Sequence, residues 1–501
     1  MQFHPLKSGM LACFTLLLLS GCTTLSPEGP FSEVAQDVEL RLGKHISWKP
    51  EGPEDPVVVA KIDQLLARPL TAERAVQIAL LNNRDLRALY ADIGLAQANL
   101  VQTELWKNPV IDGAVTFSSG GGAPDYTFKA ALKLIDILYI PLRARVAASQ
   151  LDEAKLDVTG QVMSVAGLTY IAFLDYLALR QSTNVLSEAV KTASATVETG
   201  KALRQAGNIS DYDYEQEVAQ QVQIAAELAR AQVNVAQARE RVNRLMGVTG
   251  PQTQWRSSDH LPAISGRMPA TDDMEARAIE ASVDLALLRQ RIITMGRRYR
   301  VADITSLLPQ LDVGGQAERT VGENEAGPTF TVELPLFDWG QAKRASAVME
   351  LSRAGDRFTA LAVRIRSFAR LHRARMISSR QTAAYYRDSV LPQAQRLVQS
   401  AERQYNVMQL GVFQLLQARD RQVRVSQEYV SALATYWKDR ARLLLILAAH
   451  PDRQSWCDRS SPDSSAWAFV LGDANRRWCD PAERAVAGID GFGFCGAVAN
   501  G

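Results

Sequence analysis

The chain has 501 residues, with 56 basic and 54 acidic side chains. Charge this balanced excludes an ordinary nucleic-acid binder, which carries a basic excess or stripe. The five histidines (4, 45, 260, 372 and 450) are too scattered for a metal site set by spacing, and residues 23–456 hold no cysteine, so packing and not disulfides must hold the body together.

In chain order, Lys7 precedes a short apolar stretch, Leu11–Leu19, that ends in Leu19-Ser20-Gly21-Cys22. A charged start, a brief apolar core and small residues before a cysteine describe a bacterial secretory signal. The ending resembles a lipobox, in which Cys22 is lipidated and becomes the mature N-terminus. Thr23 follows it, where an aspartate would hold the protein at the inner membrane, so the outer membrane is the expected address. Lipid chains rarely anchor a protein alone, and a second membrane element is expected downstream.

A helical pattern covers Ala72–Glu104, where Leu86, Leu89, Ile93, Ala96 and Leu100 step by threes and fours, the rhythm of a coiled-coil seam. It stops at Asn108-Pro109, and two segments of period two follow. In Val110–Ser118, Ile111, Gly113, Val115 and Phe117 oppose Asp112, Thr116 and Ser118; in Tyr126–Leu134, Phe128, Ala130 and Leu132 oppose Thr127, Lys129 and Lys133. Each has about the length a tilted strand needs to cross a bilayer, with the apolar-out, polar-in dyad of membrane barrels. Half-buried soluble strands alternate too, so soluble hairpins packed on helices are the alternative.

From Leu142 to Gln205 little breaks helix, and some 60 residues at about 1.5 Å each would span roughly 90–100 Å. Val162–Leu179 is apolar enough to mimic a membrane span, but Asp175 lies within it, and it reads as a helix buried against neighbours. The turn Gln205–Ser210 then closes a helical hairpin.

The same events recur about 200 residues later. Leu308-Pro309 answers Asn108-Pro109, Asp284-Leu285 answers Asp85-Leu86, Ala354 answers Ala154, and Leu410-Gly411 answers Ala206-Gly207. The chain therefore reads as a signal (1–21), an anchor segment (22–69), two duplicated halves (70–250 and 270–449), a linker (251–269) and a tail (450–501). In the second half Leu311, Val313, Gly315 and Ala317 oppose Asp312, Gln316 and Glu318, and Phe330, Val332, Leu334 and Leu336 oppose Thr329, Thr331 and Glu333. Ser118–Pro124 and Gly322–Pro328 are the expected loops. Pro392 is expected to interrupt the second long helix, and Ala394, Val398, Ala401, Tyr405 and Met408 repeat the seam. Gly207 and Gly411 suit the left-handed backbone of a tight helix reversal.

The expected fold is mostly α with a small transmembrane β part, each half running helix, strand, strand, very long helix, turn, helix. Four strands cannot close a barrel, and an open edge in lipid leaves unpaired backbone groups costing several kcal/mol each. Several chains must then share one barrel; three give twelve strands. Read so, Asp112, Thr116, Lys129, Lys133, Asp312, Gln316, Glu318 and Glu333 line the lumen. In the tail, Cys457, Cys479 and Cys495 leave one thiol odd if two pair, and no function follows from it.

Several motifs stand in a fixed order: Leu70-Thr71 with Ala75-Val76 and Ala79-Leu80, then Asn82-Asn83, Asn108-Pro109, Pro335-Leu336-Phe337-Asp338 with Gly340-Gln341, and Tyr405-Asn406 through Gly411-Val412-Phe413 to Leu415-Leu416. On these, residues 57–449 resemble the TolC-like outer-membrane efflux protein family, in its lipid-anchored branch. The resemblance implies a homotrimer with a twelve-stranded β-barrel in the outer membrane and a twelve-helix periplasmic α-barrel. It implies a passive duct that docks on a periplasmic membrane-fusion adaptor and an inner-membrane pump of RND type, exporting drugs or metal ions. The adaptor-docking tips would be Ala206, Gly207, Asn208, Ile209 and Ser210 with Leu410, Gly411, Val412 and Phe413. The periplasmic gate would be Asp211, Asp213, Arg419 and Asp420, with Asp213 and Asp420 in matching positions. An arginine expected after the second tip glycine is replaced by Phe413, so the latch differs here.

No cofactor is expected beyond the lipid on Cys22, and no metal site. The sequence shows no nucleophile elbow, phosphate loop or metal-spaced histidine set, so an enzyme is not expected. The other readings are a type I protein-secretion duct and a lipid-anchored periplasmic coiled-coil spacer without a pore.

Overall fold

The computed structural model describes residues 28–49, 55–117, 119, 123–264, 273–307, 309–320 and 323–447. The Cys22 motif and the cysteine-containing tail lie outside them. In chain order come α1 (Glu28–Leu42), α2 (Pro56–Leu66), α3 (Ala72–Asn82), α4 (Arg84–Glu104), β1 (Val110–Thr116), β2 (Asp125–Lys133), α5 (Leu134–Gln205) and α6 (Asp211–Met246). The second half gives α7 (Met274–Ala281), α8 (Val283–Leu307), β3 (Leu311–Thr320), β4 (Glu323–Val332), α9 (Gln341–Tyr385), a π-helical turn (Tyr386–Val390), α10 (Leu391–Asn406) and α11 (Val412–Ile446).

The opening helix expected over Ala72–Glu104 is two helices. The backbone leaves the helix at Asn83 (φ −64°, ψ 122°) and, in the second half, at Ser282 (φ −68°, ψ 111°). Both breaks fall two residues before the paired Asp-Leu landmarks, and both are capped alike. The Asn83 side chain accepts from the Leu86 amide at 3.1 Å, and Ser282 Oγ accepts from the Leu285 amide at 3.2 Å. Asn and Ser favour such caps because their short side chains replace a missing helical partner.

The first break also ends α6. Asn82 Nδ2 donates to the carbonyls of Met246 (3.1 Å) and Gly247 (2.8 Å), and Asn83 Nδ2 to that of Leu245 (2.9 Å). Gly247 is left-handed (φ 68°) in a Schellman turn, and a side chain there would run into the Asn82 carbonyl. Because α4 and α6 both run antiparallel to α5, the splice makes them one interrupted rod.

The 72 residues of α5 span about 108 Å at about 1.5 Å each. The helix starts at Leu134, earlier than the expected Leu142, directly where pairing of β2 ends, and it carries Pro141 inside. The apolar stretch Val162–Leu179 packs against neighbours: Val162, Ala166, Phe173, Leu174 and Leu177 are buried. Lys438 Nζ donates to Asp175 Oδ1 at 2.9 Å. The interruption expected at Pro392 takes the form of the π turn just before it, which absorbs the missing donor and the ring's bulk toward the preceding turn. Trp255 and Leu261, in the stretch expected to link the halves, are buried, and Trp255 Nε1 donates to Asn243 Oδ1 at 2.7 Å.

The strands form one antiparallel sheet in the order β1-β2-β3-β4, so the second strand of one half pairs with the first of the other. β4 corrects the expectation: Glu323–Pro328 is strand and not loop, whereas Glu333, Leu334 and Leu336 follow the strand.

Below the sheet the long helices stand side by side as a wall, with α1, α3 and α7 packed against it. Near the sheet α5 lies between α4 and α8, with α9 beyond α8; toward the hairpin turns it lies between α6 and α11, with α9 and α10 beyond α11. The wall's edges are therefore α4 spliced to α6 on one side and α9–α10 on the other. Both edges carry exposed small and apolar residues at steps of three and four: Ala219, Val222, Ala226, Ala229 and Val233 on α6, and Ala360, Val363, Ser367, Leu371 and Ala374 on α9. These are coiled-coil seams with no partner among the described residues.

Asn83→Ala is expected to lower stability by about 1–3 kcal/mol, since it removes a cap and leaves a buried carbonyl without its donor. The denaturant midpoint checks this against exposed Asn99→Ala, which should move it little.

Candidate functional site

The sheet has two chemically distinct faces, held in register across all four strands. One row runs Asp112, Lys129, Gln316 and Gly327; another Thr127, Glu318 and Glu325; a third Lys133, Asp312 and Thr331. The opposite face carries Ile111 and Val115 on β1, Tyr126, Phe128 and Leu132 on β2, Val313 and Ala317 on β3, and Phe330 on β4. The large apolar members of that face are exposed, Phe330 by 80%. Of the residues expected in a lumen, Asp112, Thr116, Lys129, Lys133, Asp312, Gln316 and Glu318 share the polar face. Glu333 lies past β4, where its amide donates to the Gln310 carbonyl at 3.3 Å. Along the described strands the polar face holds two lysines and six carboxylates (Asp112, Asp125, Asp312, Glu318, Glu323 and Glu325), a field that favours cations.

At the far end of the wall stand two helix-hairpin turns built on one plan. In the first, Gly207 is left-handed (φ 73°), and Ser210 (φ −76°, ψ 158°) caps α6. In the second, Met408 holds the left-handed position (φ 61°), and Gly411 (φ −75°, ψ 158°) takes the cap position of α11. Both are Schellman turns: Asn208 N bonds the Leu203 carbonyl and Gln409 N the Gln404 carbonyl, each at 2.9 Å. This corrects two expectations. Gly411 is extended, and the residue under left-handed strain is Met408, 96% exposed instead of continuing the seam. The match between turns also shifts: Gly207 answers Met408 and Ser210 answers Gly411, so Asp213 answers Gln414 and not Asp420.

Most of the charged residues expected at the gate are held locally. Asp211 pairs with Arg204 Nε at 2.6 Å, Ser210 Oγ donates to Asp213 Oδ2 at 2.8 Å, and Asp420 pairs with Arg424 one turn on. Arg419 reaches across instead: Nη1 donates to Thr196 Oγ1 of α5 at 2.9 Å, and Nη2 pairs with Glu402 Oε1 of α10 at 3.4 Å. Ala206, Asn208, Ile209, Leu410, Val412 and Phe413 sit in or beside the turns, and Ala206 and Asn208 are exposed.

Sequence reasoning missed Glu402, Gly200 and Glu217. Glu217 is 3% exposed, and its Oε2 has no partner. The signal was present: Glu217 stands seven residues before buried Ile224, on a seam position where an apolar residue belongs. Burial and then the Asp213 charge raise its pKa above the usual carboxylate range, while Arg419 opposes the shift.

No family model matches the chain. It is 21% identical over 394 residues to the cobalt-zinc-cadmium resistance protein CzcC of Cupriavidus metallidurans, covering 76% of this chain and 90% of that protein. The Campylobacter jejuni CmeC outer membrane channel superposes with a TM-score of 0.66 at 16% identity, over 82% of this chain and 92% of that one. The open state of the Neisseria gonorrhoeae MtrE outer membrane channel superposes with a TM-score of 0.62 at 14% identity, over 76% and 90%.

Met408→Gly is expected to raise stability by about 0.5–1 kcal/mol, relieving the left-handed strain of an exposed side chain that makes no packing. Gly207→Val should lower it by about 1–2 kcal/mol, whereas Gly411→Ser supplies a cap and should be neutral or stabilising. Denaturation midpoints of the three variants check the assignment of the turns. The chain therefore shares the fold of these outer-membrane channels.

Proposed function

We propose that the chain is the outer-membrane duct of an efflux system, assembled from three copies and docked through its helical turns on a periplasmic adaptor and inner-membrane pump. The carrying observation is that, among the described residues, the sheet ends in two unpaired strands and the wall in the exposed seams of α6 and α9. β1 and β4 each pair on one side only, and in lipid such edges must be closed. Two copies would give eight strands, a barrel that side chains nearly fill; three give twelve and leave a lumen.

The edges are complementary in charge as well as shape. α9 through α10 (Gln341–Asn406) holds thirteen Lys and Arg against four Asp and Glu, whereas α6 holds six acidic against four basic residues. Head-to-tail contact of unlike edges generates a closed ring, and opposite charge selects that register over edge-to-like-edge pairing. The apolar face of the sheet then meets lipid, and the polar face lines the lumen.

Similarity to a cobalt-zinc-cadmium resistance protein supports divalent metal ions as the cargo, with drugs as the second reading. Among the described residues no three His, Cys, Asp or Glu side chains are grouped to hold a metal ion, and the reading assigns selection to the pump, not the duct. The lipid on Cys22 would add a second anchor beside the barrel.

Deleting the chain in its source cell should sensitise it to zinc, cobalt or cadmium several-fold. Lost drug resistance with unchanged metal tolerance would assign the second cargo, and no change in either contradicts an efflux role. Val222→Asp, on the exposed α6 seam, should convert a detergent-extracted trimer to monomer by light scattering with helix content intact; an unchanged trimer contradicts the edge assignment.

A further inference from the structure

The two helical hairpins are matched position by position at an offset fixed by their turns, and at one matched pair they differ in kind. In the second hairpin Ala401 of α10 and Ala418 of α11 face each other, both buried in one apolar cluster. The matched residues of the first hairpin are Gly200 of α5 and Glu217 of α6. Both are buried, and the Glu217 carboxyl group fills the space a Gly200 side chain would need. A carboxyl group has replaced a methyl group in a helix seam, and the opposing residue has lost its own side chain to admit it.

The surroundings of this carboxyl group are sparse. Its Oε2 bonds nothing. On its own helix Asp213 lies one turn before it, and α11 contributes the Arg419 charge. α5 offers Gly200 and Thr196, neither of which titrates, and Glu402 of α10 reaches only as far as Arg419. Arg419 also joins α11 to α5 near the turns, through Thr196, so the orphan carboxyl group and that contact between the hairpins share one guanidinium.

We propose that Glu217 is a proton-operated latch at the periplasmic end of the wall: neutral, it packs against Gly200 and leaves Arg419 on Thr196 and Glu402; ionised, it draws Arg419 off them and loosens the hairpins. Burial and Asp213 favour the neutral form in the packed state, which sets the direction. Below the ordinary carboxylate range Glu217 is neutral whether packed or not, and the packing bears no penalty. As pH rises toward and through the raised pKa, the packed arrangement weakens. The duct reading supplies the purpose of such a latch, but its chemistry stands apart from conduction.

Hydrogen exchange of the amides over 196–220 in the full detergent-purified protein tests it, expressed as protection factors from about pH 5 to about pH 8. The expected result is protection that falls as pH rises across that range in the wild type and stays flat in Glu217→Gln. A double variant, Gly200→Ala with Glu217→Ala, recreates the alanine seam of the second hairpin and should stay flat and protected, covering the case in which the single variant packs poorly. A wild type that is flat, or variants that lose protection with pH as the wild type does, overturns the latch. Because the readout needs no ion flow, a protein that never conducts would defeat the duct reading and leave this result standing.

Discussion

Backbone groups cannot be left unpaired in lipid, and the rest of this structure answers to that constraint. The protomer ends in a four-stranded sheet whose outermost strands each offer a row of free donors and acceptors. Each unsatisfied group in hydrocarbon costs several kcal/mol, so a protomer alone is not a stable inhabitant of a membrane. The same incompleteness continues down the wall, where α6 and α9 present seams of small and apolar side chains to solvent. In the proposed duct, sheet and helices take the same partner, another copy with its opposite edge, and one ring closes both.

Duplication makes such a wall possible at this length. A single helix the length of α5 has nothing of equal length to pack on, so each half pairs it with two shorter helices laid end to end. The joint needs a chain break that leaves no buried polar group unpaired. Asn82 and Asn83 meet that need by capping the start of α4 and the end of α6 with the same two side chains. Ser282 performs the capping half of this role in the second repeat.

Much of this was legible in the residues. Period-two alternation located β1, β2, β3 and the end of β4 and assigned their faces, because a pleat alternates strictly and one slip would have moved lysines onto the apolar face. The long helix of the first half and the position of both turns followed from seam rhythm and glycine. Four things were not legible. The break at Asn83 was hidden because the apolar pattern runs on through it, and only a tertiary partner, the end of α6, makes breaking favourable. Met408 gave no local sign of a left-handed backbone; the reversal geometry imposes it, and Gly411, which looked like the turn residue, is the cap. Glu217 stands on a visible seam position, but its burial was not legible, because that depends on Gly200 of another helix. Gly322–Pro328 looked like a loop by composition, yet pairing with β3 carries Gly327 and Pro328 into the outermost strand, where a proline's missing donor faces no partner.

Planar-bilayer conductance of the detergent-purified protein, with its oligomer mass measured on the same sample, tests the central claim most directly. The account predicts a trimer that gives discrete channels preferring cations, because the face assigned to the lumen carries four more carboxylates than lysines per protomer. A stable monomer in the membrane, or a trimer that stays silent even with the Arg419 tie removed by Arg419→Ala, would contradict it.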